Sequence, residues 1–168
     1  MIGNDIVDLG QAAKESNWQR KGYLDKIFTA EERFLISTAG DPGIMVWLLW
    51  TMKESAYKVH SRETKIRTFT PGCIACSNLI LLSEIATGNV NYEDQTYFTA
   101  SSIHENYIHT IAAQHKTVLK EACIRISLYA PLNVDYKSTQ PDCVSHHGSY
   151  LALIYLNRHP PGSPQSAS

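Results

Sequence analysis

No stretch of the 168-residue sequence approaches the roughly 18 to 20 uninterrupted apolar residues that a membrane-spanning helix requires. The charged start MIGNDIVD also lacks the basic and apolar regions of a secretory signal, so a cytoplasmic location and no membrane partner are expected. Neither sign of charge is in excess: 15 Lys and Arg stand against 16 Asp and Glu, with a pI near 6.6. That balance provides no basic footprint for duplex nucleic acid, and no nucleic-acid partner is expected. Cysteine is sparse, at four residues, and only Cys73 and Cys76 in CIAC stand at metal-ligand spacing. A zinc site needs two more ligands and the sequence has no second such pair. Reduced and mostly buried thiols are therefore expected, unless Cys123, Cys143 or a histidine converges on CIAC. A glycine-rich phosphate loop and an internal repeat are also missing.

What is present is a globular composition, 43% apolar and 18% charged, on a chain long enough for one core and short for two. Residues 1–158 read as a single domain and 159–168, HPPGSPQSAS, as a Pro/Ser tail with nothing to bury. An opening strand is followed by helical texture over 10–39. Gly22 separates two pieces, Thr29 caps the next with Glu31 and Glu32 in its first turn, and Gly40 ends it. A long, largely buried helix then starts at Asp41 and Pro42 and runs through VWLLWTMKESAYKV. From about residue 66 the texture turns to β-branched and aromatic runs with turn punctuation, beginning with IRTFTPGCIAC and ending with SYLALIYL. One strand, then helices, then strands predicts an α+β fold with a mainly antiparallel sheet packed on the long helix.

Two places carry chemistry. IGNDIVDL at residues 2–9 reads as a core strand yet holds Asn4, Asp5 and Asp8, which need compensation in an apolar setting. On the long helix Glu54 and Lys58 stand one turn apart, with Lys53 and Tyr57 on the adjacent face. An exposed Glu–Lys pair would contribute only about 0.3 to 0.5 kcal/mol. In a helix that also carries Trp47, Trp50, Ala56 and Val59 the polar cluster needs a partner, and Asp5 is the natural one. One carboxylate from a strand and one from a helix suit Mg²⁺, which takes one or two protein carboxylates and fills its octahedron with water and phosphate oxygens. Five basic residues between 53 and 67 (Lys53, Lys58, Arg62, Lys65, Arg67) against Glu54 and Glu63 suit a phosphate or an acidic partner.

GNDIVD (Gly3 to Asp8) and WTMKESAYK (Trp50 to Lys58), with IFTAEE between them, resemble the 4′-phosphopantetheinyl transferase superfamily, and in particular its short holo-acyl-carrier-protein-synthase-like members. The resemblance implies that family's fold. It also implies transfer of the 4′-phosphopantetheine arm of coenzyme A to a serine of an apo acyl or peptidyl carrier protein. It further implies Mg²⁺ on Asp5 and Glu54, Lys58 on a phosphate and Glu54 as base for the serine hydroxyl, with Asp5, Glu54 and Lys58 as the catalytic set. Lys53 joins Lys58 in binding coenzyme A. The superfamily's Ser-His turn has two candidates, VSHHGSYLAL with Ser145 and His146, which is preferred as coenzyme A-binding, and SSIHENYIHT around His104. Asp8 is an outer group or a strand-end cap. A homo-oligomer is compatible with this group. Rival readings are another Mg²⁺-dependent phosphoryl-group enzyme on the same carboxylates, and a non-catalytic module that holds coenzyme A or a carrier.

Overall fold

The computed structural model describes residues 1–130 and 136–156; the expected tail at 159–168 lies outside them. Strand β1 (Gly3–Asp8) leads into three short helices, α1 (Leu9–Glu15), α2 (Tyr23–Ile27) and α3 (Ala30–Thr38), and then into α4 (Pro42–Thr64). After a 3₁₀ turn at Pro71–Cys73 come β2 (Ala75–Leu82), β3 (Ile85–Tyr92), β4 (Gln95–Ile103) and β5 (Tyr107–Ala113), then α5 (Lys116–Lys120) and β6 (Ala122–Leu128). A second 3₁₀ turn at Tyr136–Thr139 precedes β7 (Cys143–His147) and β8 (Tyr150–Leu156).

The start signals act as read. The Asp41 side chain accepts from the Ile44 N–H at the head of α4. Thr29 and Glu32 form a reciprocal capping box on α3, which satisfies two backbone donors at once. Gly22 takes a left-handed φ of 78° at the entry to α2. IRTFT is not a strand, however: residues 65–70 run beside α4 without ladder pairing, and the strand starts only at Ala75. Phe69 explains this, because its ring packs on Trp50 and Tyr57, with centroids 5.8 and 4.7 Å away, and so belongs to the helix face.

The fold is α+β and every strand pairing is antiparallel, but there are two sheets where one was expected. The larger runs β1-β5-β4-β3-β2 and the smaller β6-β8-β7. Helix α4 covers one face of the larger sheet, where Leu48, Leu49, Met52, Ala56 and Val59 meet Val90, Tyr97, Ile108 and Ala112. The smaller sheet covers the opposite face, through Ile2, Ile111, Cys143 and Ile154. Strand β1 lies between the two layers, and all six of its residues are buried. Gly3 permits this closeness, since a Cβ there would stand 2.2 Å from the Ser55 carbonyl oxygen of α4.

Lys53 departs from the sequence expectation. It is fully buried and pairs with the equally buried Glu32 at 2.7 Å. Its ammonium also donates to the carbonyls of Ile27 at 2.7 Å and Pro71 at 2.9 Å. Glu32 in turn accepts from the N–H groups of Thr29 and Cys76. Every donor of Lys53 is thus used inside the protein, and it ties α2, α3 and the Pro71 turn to α4 instead of reaching a ligand. Removing one partner of such a pair strands a buried charge, at a cost of about 3 to 5 kcal/mol. Lys53→Met should therefore lower urea stability by that order, while Asp25→Asn, at the exposed ion pair with Arg33, should change it by less than about 1 kcal/mol.

Candidate functional site

Strand β1 is the outer strand of its sheet, and alternate backbone groups along it point away from β5. Side chains satisfy them in order. Arg62 Nη1 donates to Ile2 O at 3.1 Å and Lys58 Nζ to Asn4 O at 2.8 Å. The Ile6 N–H donates to Ser145 Oγ at 3.3 Å and the Asp8 N–H to His147 Nδ1 at 3.0 Å. The Asn4 amide donates to Ala152 O at 3.1 Å and so anchors β8.

Asp5 sits in this row. Its Oδ1 accepts from Lys58 Nζ at 2.8 Å and from the Ser145 hydroxyl at 3.0 Å. Lys58 also donates to Ser145 Oγ at 3.2 Å. Glu54 is partly buried one turn before Lys58, and its carboxyl is pushed up to about 7, first by burial and then by the charge of Asp5, with Lys58 pulling the other way. Two carboxylates therefore share one ammonium, and that ammonium is bonded to only one of them. Such a donor set has room for a cation: Lys58 already stands in for one on Asp5, and the charge of Glu54 remains under-compensated. Among the described residues no cluster of three or more His, Cys, Asp or Glu could hold a metal, so the fit is to an ion that accepts two protein carboxylates.

The remaining residues divide clearly. His146 is exposed, and its ring stacks on Tyr129 with centroids 4.7 Å apart, on the face of the smaller sheet turned away from Asp5. Strand alternation is the reason, because Ser145 and His147 share one face of β7 and His146 the other. Ser145 thus shares the edge of β1 with His147, while His146, expected beside Ser145 at coenzyme A, stands on the other face of β7. His104 closes the β4–β5 turn through its N–H to Tyr107 O at 2.9 Å and stacks on the Tyr107 ring. Asp8 is a cap: Oδ1 accepts from Gln11 N at the head of α1, and Oδ2 from Ser149 N in the β7–β8 turn. Burial pushes its carboxyl up, but the Ser149 and Gln11 N–H groups outweigh this and hold it below the ordinary value. Gly148 is required in that turn, with φ of 53° and no room for a Cβ, which would lie 2.5 Å from Asp8 Oδ2. Cys73 is exposed and Cys76 buried.

Val7, Ala12, Tyr23, Trp47, Trp50 and His147 line a depression of about 270 Å³ that neither Asp5 nor Glu54 lines. Trp50 and Trp47 stand one and two turns before Glu54 on α4. A larger depression of about 630 Å³ at the start of α4 shares Trp47 with it and likewise lacks both site carboxylates.

Asp5, Glu54 and Lys58 thus stand together between an edge strand and a long helix of an α+β fold. The model of the 4′-phosphopantetheinyl transferase superfamily matches residues 1–112, and the chain belongs to that superfamily. None of the curated proteins matches it at a significant level. The matched span holds Asp5, Glu54, Lys58 and His104; Ser145 to His147 lie beyond it.

The raised Glu54 value has a measurable sign. Its folded value lies above the ordinary 4.5, so its protonated form contributes stability that is fully present below about 4.5 and is lost as pH rises through about 7. Thermal melts between about pH 5 and pH 8 should show the wild type losing more stability with rising pH than Glu54→Gln, which has no such proton to lose. Equal slopes for the two proteins would place Glu54 at an ordinary carboxyl value.

Proposed function

We propose that this protein transfers the 4′-phosphopantetheine arm of coenzyme A to a serine of an apo acyl or peptidyl carrier protein, in the manner of a holo-acyl-carrier-protein synthase, with Mg²⁺. Family membership supports phosphopantetheinyl transfer in general, and the single observation that carries the reading to this site is the Asp5–Lys58–Glu54 cluster. Asp5 and Glu54 would hold the metal, which when bound supplies charge neutralisation on the coenzyme A pyrophosphate.

Each residue has a stated task in this reading. Lys58 brings a positive charge next to both carboxylates. All three of its donors are engaged with Asn4 O, Asp5 Oδ1 and Ser145 Oγ. Contact with a phosphate oxygen therefore means exchanging one of those bonds for a charge-assisted one. Glu54 is the candidate base for the attacking serine hydroxyl, directly or through a water. Substitution at phosphorus needs alignment and charge neutralisation above all, and proton removal is secondary. The aromatic depression before Glu54 offers an apolar wall to the uncharged part of the coenzyme A arm. No described helix is long and apolar enough to cross a membrane, which accords with carriers and coenzyme A met in the cytoplasm.

The test is to incubate the protein with coenzyme A, Mg²⁺ and a panel of apo carriers, and to weigh the carriers. A mass gain equal to the phosphopantetheine arm is expected, and its absence across fatty-acid, polyketide and peptide-synthetase carriers would count against transfer. Asp5→Asn and Glu54→Gln should each cut the rate by about two orders of magnitude or more while melting close to the wild type, since each removes a charge and little volume. Full activity in excess chelator would remove the metal from this reading.

A further inference from the structure

We infer that Ser145 is a positioning residue for Asp5: its hydroxyl ties up one oxygen of that carboxylate and leaves the other for a cation. The inference rests on the reading of Asp5 as a metal ligand and reaches residues outside the span matched by the family. A serine hydroxyl has one proton and two lone pairs. Both lone pairs are taken by donors with no acceptor role, the Ile6 N–H at 3.3 Å and the Lys58 ammonium at 3.2 Å. The single proton must therefore point at Asp5 Oδ1, 3.0 Å away. That oxygen also receives Lys58 Nζ at 2.8 Å. Asp5 Oδ2 has no hydrogen-bond partner among the described residues.

The consequence is asymmetric. A carboxylate with no fixed partner rotates and presents either oxygen. One with two donors on Oδ1 is held in place, and a cation that binds at Oδ2 finds it oriented without having to displace Lys58. Ser145 is itself 6% exposed and fixed in β7, where Ser145 pairs with Ala152. It has no freedom to turn its hydroxyl toward a ligand without abandoning the Ile6 N–H. This sets it apart from a residue that touches coenzyme A directly. His147 provides a control on the same strand edge, since it satisfies the Asp8 N–H in the same way and makes no bond to Asp5.

The test uses the whole chain with Mn²⁺ as the probe, titrated by electron paramagnetic resonance, together with coenzyme A affinity measured in EDTA by calorimetry. Ser145→Ala should weaken Mn²⁺ binding about tenfold, Ser145→Thr should restore most of it, and His147→Ala should leave it at the wild-type level although both alanine variants lose a β1 edge contact. Coenzyme A affinity in EDTA should be the same for wild type and Ser145→Ala. If Ser145→Ala does not fold, Ser145→Cys keeps its volume while weakening both kinds of hydrogen bond and carries the same comparison. Unchanged Mn²⁺ binding in Ser145→Ala overturns the inference. So does a loss of metal-free coenzyme A affinity, which would make Ser145 a direct contact. So does an equal loss in His147→Ala, which would make the effect one of edge integrity. Asp5→Asn distinguishes the levels: if it binds Mn²⁺ as well as wild type, the metal-site reading itself fails, whereas a loss there alone overturns only the role of Ser145.

Discussion

The structure depends on how the free edge of β1 is closed. An outer strand exposes a row of unpaired backbone groups, and this one is also buried on both faces, where water cannot serve them. Among the described residues no further strand pairs there. Four side chains from two places in the chain do the work: Arg62 and Lys58 from α4, and Ser145 and His147 from β7. Two of the four also bond to Asp5. The requirement that buried backbone be satisfied thus brings a lysine and a hydroxyl to one carboxylate, and the site follows from it.

Two lysine–carboxylate pairs on the same helix differ in how completely the protein satisfies them. Lys53 and Glu32 are both fully buried, and between them they meet two carbonyls and two backbone N–H groups. Such a pair has nothing left to offer a ligand. Lys58 and Asp5 are 28% and 12% exposed at their side chains, Asp5 keeps one oxygen free of donors among the described residues, and Glu54 adds a second carboxylate with a displaced proton affinity. The second pair is left incomplete by the protein, and that incompleteness is what the proposed cation and phosphate would use.

Much of this could be read from the residues. Apolar spacing and an Asp-Pro start located α4, the Thr29 box located α3, and a strand carrying Asn4, Asp5 and Asp8 next to a helix carrying Glu54 and Lys58 identified the partners. Three things were not legible. Lys53 adjoins Glu54 in sequence, but 100° of helical rotation per residue turns it to a different wall, and its partner Glu32 signalled only its capping role. The division into two sheets depends on β7 and β8 folding back over β1, a long-range contact that no local pattern encodes. The strand reading of residues 66–70 failed because β-branched and aromatic residues suit either a ladder or an aromatic cluster, and Phe69 found Trp50 and Tyr57 first.

The separation of Ser145 from His146 has a reason the sequence already contained. Neighbouring residues of a strand face opposite ways, so in VSHH a serine that points at Asp5 selects His147 as its companion and sends His146 outward. This also bears on the limit of the family match at residue 112. By that point β1 to β5 and α4 are complete, and with them Asp5, Glu54 and Lys58. What lies beyond includes the smaller sheet, through which Ser145 and His147 close the edge of β1. The shared span therefore carries the charges of the site, and the C-terminal strands carry the constraint that orients one of them.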